Sequence, residues 1–176
     1  MMAQLTPQGF KERFIASMPS NLPPELLAEL GEFVSFDPSH IASLDLAEAD
    51  TAILTEVGLP RNSPPFFYFG GDRVDLLAPL DGAPGKIIIG ANGFGDHLCI
   101  DLNANGAIIE VDNENRRQTA FMNSSIASLA LCLCAFSEFR TTADGEAFQA
   151  EIAQIDPIAV ADDSWWMGEI AARLGK

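Results

Sequence analysis

The stretch IIIGANGFGDHLCIDLNANGAIIEV, residues 87–111, decides the fold. Ile87 to Ile89, His97 to Ile100 and Ala107 to Val111 are short apolar runs, parted by Gly90 to Gly95 and by Asn103 to Gly106. Runs of this length bounded by glycine and asparagine read as strands joined by tight turns, and Asn105-Gly106 suits the positive φ angles of a hairpin. The gaps are too short for crossover helices, so the strands must form an antiparallel meander. Working outward, the Pro64-Pro65 pair bars a helix, and Phe66-Phe67-Tyr68-Phe69 favours an extended, buried strand. Val74 to Leu77 and Thr119 to Met122 read as further strands.

Helical signals flank this block on both sides. Thr6 can cap a first helix with Pro7 in its first turn; Phe10, Phe14 and Met18 recur on one face, and the helix ends near Pro19. A second follows Ser20 or Asn21, with Leu26, Leu27 and Leu30 apolar and Gly31 weakening its continuation. A third covers Ala47 to Val57, where Ala49, Ile53 and Val57 share a stripe and Gly58 supplies the stop. After the strands, Ser124 or Ser125 opens a long helix reaching Phe139. Ile126, Leu129, Leu133 and Phe136 line one of its faces, and Leu131, Cys132 and Cys134 a second, so it should be buried on more than one side. Gly145 to Ile155 and Asp163 to Leu174 complete the helices, broken at Pro157. The fold class is α+β: a largely antiparallel sheet flanked by N-terminal and C-terminal helices. We expect a single domain, with residues 1–40 as a helical segment packed on residues 41–176.

Of 176 residues, 48% are hydrophobic and 20% charged, enough to bury one core. Ten Lys and Arg against 25 Asp and Glu leave a net charge of −15. Such a field repels phosphate backbones and anionic bilayers, which disfavours direct nucleic-acid or membrane binding and favours a basic partner. Cys99, Cys132 and Cys134 form an odd set without C-x-x-C spacing, which fits a reducing cytosol better than a disulfide framework or a zinc site. Met1 to Phe10 lacks the basic flank and apolar stretch of a secretory signal, and Ile126 to Phe136 falls far short of the ~18 apolar residues of a membrane span. The expectation is a cytoplasmic protein. Oligomeric state is not legible.

Three constellations could carry chemistry, and each has a plainer reading. Asp101-Leu102-Asn103-Ala104-Asn105-Gly106, with Asp112 at loop position twelve, has the spacing of a calcium loop. That loop needs a helix on each side, whereas Leu98 and Ile100 before it and Ile109 and Val111 after it read as strands, so a hairpin is the better reading. Gly90-Ala91-Asn92-Gly93-Phe94-Gly95 could cradle a phosphate, but it matches neither common nucleotide fingerprint and precedes a strand, so it reads as a turn. His97 and Cys99 share a strand face and could pair as base and thiolate, yet no third orienting group is marked, so a packed thiol beside a surface imidazole is the better reading. The carboxylates are scattered, and none singles out an acid–base pair. Trp165 and Trp166 cannot both face the core squarely; one can anchor the last helix while the other is partly exposed, though packing of both flanks is the preferred reading. The residues call for no catalytic set, cofactor or metal.

The order of these features resembles a known family. Gly58-Leu59-Pro60 after a helix, Ile89-Gly90, Cys99-Ile100-Asp101-Leu102 with Asn105-Gly106, and Phe121-Met122-Asn123-Ser124-Ser125 opening a long apolar helix look like the SUKH superfamily. The nearest group is the fourth, made up of bacterial immunity proteins. Asp156-Pro157-Ile158-Ala159 followed by Trp165 and Trp166 is similar to the C-terminal part of that group, so the resemblance spans roughly residues 45 to 174. It implies a curved, largely antiparallel sheet packed on helices and a role as a binding module. Bacterial members are regarded as antidotes to polymorphic toxins, many acting on nucleic acid, and fungal relatives as signalling scaffolds. The family carries no invariant catalytic set. Its motif residues transfer as fold markers: Gly58 and Pro60 for a turn, Gly106 for the hairpin, Asn123 and Ser124 for the helix entrance, with Gly90 and Trp166 beside them.

The resulting expectation is a non-enzymatic immunity protein. An acidic face including Asp96, Asp112 and Glu114 would cover the basic, nuclease-like surface of a cognate toxin. Two rivals stand beside it: an interaction scaffold without a toxin, and a small hydrolase using His97.

Overall fold

The structure is a computed structural model and describes residues 5–116 and 118–174. The outer ends of the expected 1–40 and 41–176 segments, residues 1–4 and 175–176, lie outside the described residues. In chain order come α1 (Pro7–Ala16), α2 (Pro24–Leu30), β1 (Phe33–Val34), α3 (Pro38–Ala42), α4 (Glu48–Ala52), β2 (Leu59–Pro60), β3 (Asn62–Ser63) and β4 (Phe67–Tyr68). Then follow β5 (Lys86–Asn92), β6 (His97–Asp101), β7 (Ala107–Val111), β8 (Thr119–Asn123), α5 (Ile126–Thr142), α6 (Gly145–Ile155) and α7 (Trp165–Leu174).

Strands β3 to β8 form one six-stranded sheet in sequence order, every pairing antiparallel, so the fold is α+β and its sheet is a meander. The register slips twice, with Ile89 the extra residue on β5 and Met122 the extra residue on β8; each such bulge bends its strand. Gly90 sits at the first of these, where a Cβ would lie 2.6 Å from the Tyr68 carbonyl oxygen, so only glycine lets β4 come this close. Asn105 and Gly106 take φ angles of 53° and 82°, the turn expected of the β6–β7 hairpin. The Asp101 carboxylate is bonded to the Asn103 N–H and paired with Lys86 at 2.7 Å. It therefore serves this turn and the β5 edge.

Several elements differ from expectation. Val74 to Leu77 is not a strand: Leu77 is left-handed at φ 66°, which breaks the extended backbone, and the chain pairs with β5 only through an isolated bridge from Pro79 to Ile87. The third helix divides, with α4 giving way at Ile53–Val57 to a wider π-helical turn. Pro60, expected in a turn, pairs with Phe33 across β1 and β2, a small sheet with no sequence signal of its own. Gly58 turns the chain into that sheet at φ 78°; a Cβ there would lie 1.9 Å from the Val34 carbonyl oxygen. The aromatic strand is shorter than its run, and α5 extends past Phe139 to Thr142.

The main core lies between one sheet face (Ile87, Ile89, Leu98, Ile100, Ile108) and the helices. Helix α5 is buried around most of its circumference, against α1, α6 and the sheet, because its apolar residues occupy two faces. Phe10 and Phe14 of α1 join this core and meet Phe33 edge-on at 5.5 and 5.7 Å. The other sheet face is smaller: Ile88, Cys99, Ile109 and Val111 lie under Leu80 and Ala83 of the irregular segment.

A buried polar network joins β8, α5 and α7. Ser125 caps α5 reciprocally with Ser128, which frees Ser124 to bond Asp156 through its N–H (2.6 Å) and its hydroxyl (2.9 Å). Fully buried Asn123 donates to Asp156 and accepts from the Trp166 indole at 3.0 Å. On the other side of the helix entrance, Asp50 accepts the Ala127 N–H at 2.8 Å. Burial raises the Asp50 pKa above the usual carboxylate value, against the lowering effect of the backbone bonds it accepts.

Candidate functional site

The β5–β6 and β7–β8 turns meet at one end of the sheet, because His97 at the start of β6 faces Val111 at the end of β7. Asn92, nearly buried, organises this end. Its side-chain oxygen accepts the N–H groups of Phe94 (2.8 Å) and Asp96 (3.0 Å), and its amide donates to Asp96 (3.0 Å) and Glu110 (2.9 Å). With every donor and acceptor of the amide in use, the turn is held rigidly. Strand alternation puts Glu110 beside Leu98 on the helix-facing side, where it needs a partner, and the Trp165 indole on α7 donates to it at 2.9 Å. Burial pushes the Glu110 pKa above its ordinary value, opposed by the bonds from Asn92 and Trp165 and assisted by Asp96 and Asp112.

Around this chain of bonds lies a groove of about 350 Å³ between the hairpin end and α7. Asp96, Glu110, Asp163 and Glu169 supply four carboxylates to its lining, and Phe66, Phe94 and Trp165 supply aromatic rings. Phe94 is 78% exposed, and its ring stands 5.3 Å from that of Phe66, which in turn is 6.1 Å from Trp165. An unburied phenylalanine on a rigid turn, among carboxylates, can enter a partner's apolar pocket while the acids meet its cations.

Asp96, Asp112 and Glu114 all fall at this end of the sheet. Asp96 lines the groove and ties the two turns together by accepting the Asn113 N–H at 3.0 Å. Asp112 lies outside the groove lining and accepts the N–H groups of Glu114 (2.8 Å) and Asn115 (2.6 Å), while Glu114 is exposed. Glu110, Glu169, Phe66 and Phe94 were not singled out. Glu110 had a usable signal, a charge at an inward position of an apolar strand. Phe94 had another, an aromatic between two glycines at a turn. Glu169 and Phe66 had none, since only tertiary packing carries α7 and β4 to this end.

The tryptophans divide their roles, the alternative to the preferred reading that both pack the core. Trp166 is fully buried, whereas half-buried Trp165 faces the groove. Among the described residues no hydrogen bond joins His97 to Cys99. Burial pushes the Cys99 thiol up to about 12, so it carries no thiolate at neutral pH. His97 takes a bond of 2.9 Å between its Nδ1 and the Arg116 guanidinium, and burial followed by that cation lowers its pKa, so the neutral ring is the acceptor. Among the described residues no three His, Cys, Asp or Glu side chains converge to hold a metal ion, and no helix is long and apolar enough to cross a membrane.

Fold and site together define the class, an α+β meander protein with an acidic, aromatic groove at the hairpin end of its sheet. The SUKH-4 immunity protein family matches the chain over residues 22–172, and the chain belongs to that family. Membership in a family of immunity proteins implies a protein toxin as partner. Comparison with curated proteins and with solved structures gives no significant match.

Proposed function

We propose that this chain neutralises a bacterial toxin in the cytoplasm by covering the toxin's functional surface, and that the acidic groove with its two hairpin turns is the contact. The observation that carries the reading is Phe94, 78% exposed and rigidly held beside carboxylates in a chain assigned to the immunity proteins. The partner this surface fits is basic, such as the substrate channel of a nuclease. Four carboxylates steer the encounter, the aromatic rings supply desolvated contact, and inhibition is steric. Asp112 and Glu114, just outside the groove, extend the same field. The chain itself catalyses nothing.

The test is stopped-flow association with the toxin encoded beside this chain. Screening shortens the field to about 8 Å at physiological salt, so the association rate should fall several-fold from about 50 to about 200 mM salt. Combined Phe94→Ala, Asp96→Asn and Asp163→Asn substitutions should abolish protection of toxin-expressing cells. A salt-independent rate together with intact protection would overturn the assignment of this surface.

A further inference from the structure

Beside the acidic groove lies a larger hollow of different character. A pocket of about 670 Å³ opens between the end of α1, the β3–β4 hairpin and the far end of α5. The chain carries only seven arginines against 25 acids, yet Arg73, Arg140 and Arg173 all line this pocket, and no aspartate or glutamate does. Its apolar wall includes Phe14, Met18, Pro64, Pro65, Phe67 and Tyr68.

The guanidinium groups are presented in different ways. Arg73 stacks on the Tyr68 ring at 4.3 Å and Arg173 on the Phe136 ring at 4.8 Å. Stacking positions a guanidinium by its flat face and leaves its edge donors available for an anion. Arg173 also donates to Glu169, whereas Arg73 and Arg140 form no ion pair among the described residues. Asp72, the acid whose charge Arg73 feels, is already bonded to Tyr68 and Arg61. Half-buried Asn62 adds a side-chain amide with no hydrogen-bond partner among the described residues. Three cations lining one pocket of a chain of net charge −15, beside an apolar wall, suit a ligand carrying both an anion and a flat body. The volume lies within the range of small-molecule sites, roughly 300–1,000 Å³, and three arginines match a phosphate dianion better than a single carboxylate.

We propose that this pocket binds a phosphate monoester of a flat aromatic body, the class that includes nucleoside monophosphates. The phosphate meets Arg73 and Arg140, with Arg173 completing the cation set, and the ring lies against the aromatic and proline wall. This inference does not depend on the toxin reading, because the pocket's lining and that of the acidic groove share only Phe66 and Asn92.

Isothermal titration of the full chain with adenosine 5′-monophosphate and with 2-naphthyl phosphate tests it, with adenosine and inorganic phosphate as the separated halves. At least one ester should saturate the protein at one site and bind ten-fold or more tightly than either half. Arg140→Ala and Arg73→Ala, both at exposed positions, should each weaken that ester at least five-fold with an unchanged circular dichroism spectrum, whereas Asp163→Asn in the groove should not weaken it. No saturable binding of either ester at millimolar concentration overturns the proposal. So does equal binding of inorganic phosphate, or binding that survives the Arg73→Ala/Arg140→Ala double substitution.

Discussion

Two hollows lie side by side on this protein and carry opposite charge. The groove of about 350 Å³ is lined by four carboxylates and no base; the pocket of about 670 Å³ is lined by three arginines and no acid. Phe66 and Asn92 stand in both linings. On α7, Glu169 faces the groove and Arg173, one turn later, the pocket, and the two bond to each other across the divide. The net charge of −15 therefore describes the field a distant partner meets, not the chemistry met on contact. A basic macromolecule is drawn toward the chain as a whole, and a small anion finds its complement only within the arginine pocket.

The widest break in this arrangement comes from undocking α7, which lines both hollows. Trp166→Ala deletes a fully buried indole and leaves Asn123 without its donor, so stability should fall by about 3–5 kcal/mol in urea unfolding. Next in size is the shared wall. Asn92→Ala strips partners from Phe94, Asp96 and Glu110 and should cost about 1–3 kcal/mol, with amide exchange accelerated at Phe94 and Asp96. Phe94→Ala separates contact from stability: unfolding should shift by no more than about 0.5 kcal/mol, because the ring is exposed, while toxin affinity drops about ten-fold or more.

The smallest expected effect is a titration confined to the groove. Burial raises the folded-state pKa of Glu110, so between the ordinary glutamate value and that raised value the native state binds the proton that the unfolded chain has lost. The contribution of Glu110 to stability is therefore fully present below the ordinary value and is lost as pH rises through the folded value. Trp165 fluorescence should report this step with a midpoint above the ordinary glutamate value, and Glu110→Gln should remove it while leaving phosphate-ester binding in the arginine pocket unchanged.

Much of this was legible locally. The meander between Lys86 and Asn123 follows from turn residues and apolar runs within a few positions of one another, and so does the left-handed Asn105-Gly106 pair. Val74 to Leu77 misled because apolarity alone does not make a strand where the backbone turns left-handed, as it does at Leu77. β1 and β2, two residues each, are held by the packing of Phe33 on α1 and by the turn at Gly58, which no local pattern encodes. Of the acidic residues, Asp96, Asp112 and Glu114 were legible as candidates because they flank turns. Their neighbour Glu169 was not, because helix α7 carries it in from another part of the chain.

By itself the sequence determined the helix–strand–helix order, the antiparallel course of the strands from β5 to β8 and the sign of the long-range field, since each depends on neighbours along the chain or on a simple sum of charges. Only the tertiary structure decided that Glu110 would meet Trp165, 55 residues away, and that acids and arginines would sort into adjoining hollows. The reason is physical: hydrogen bonds and contact electrostatics act over a few ångströms of space, and the groups that share those ångströms are chosen by the packing of the core.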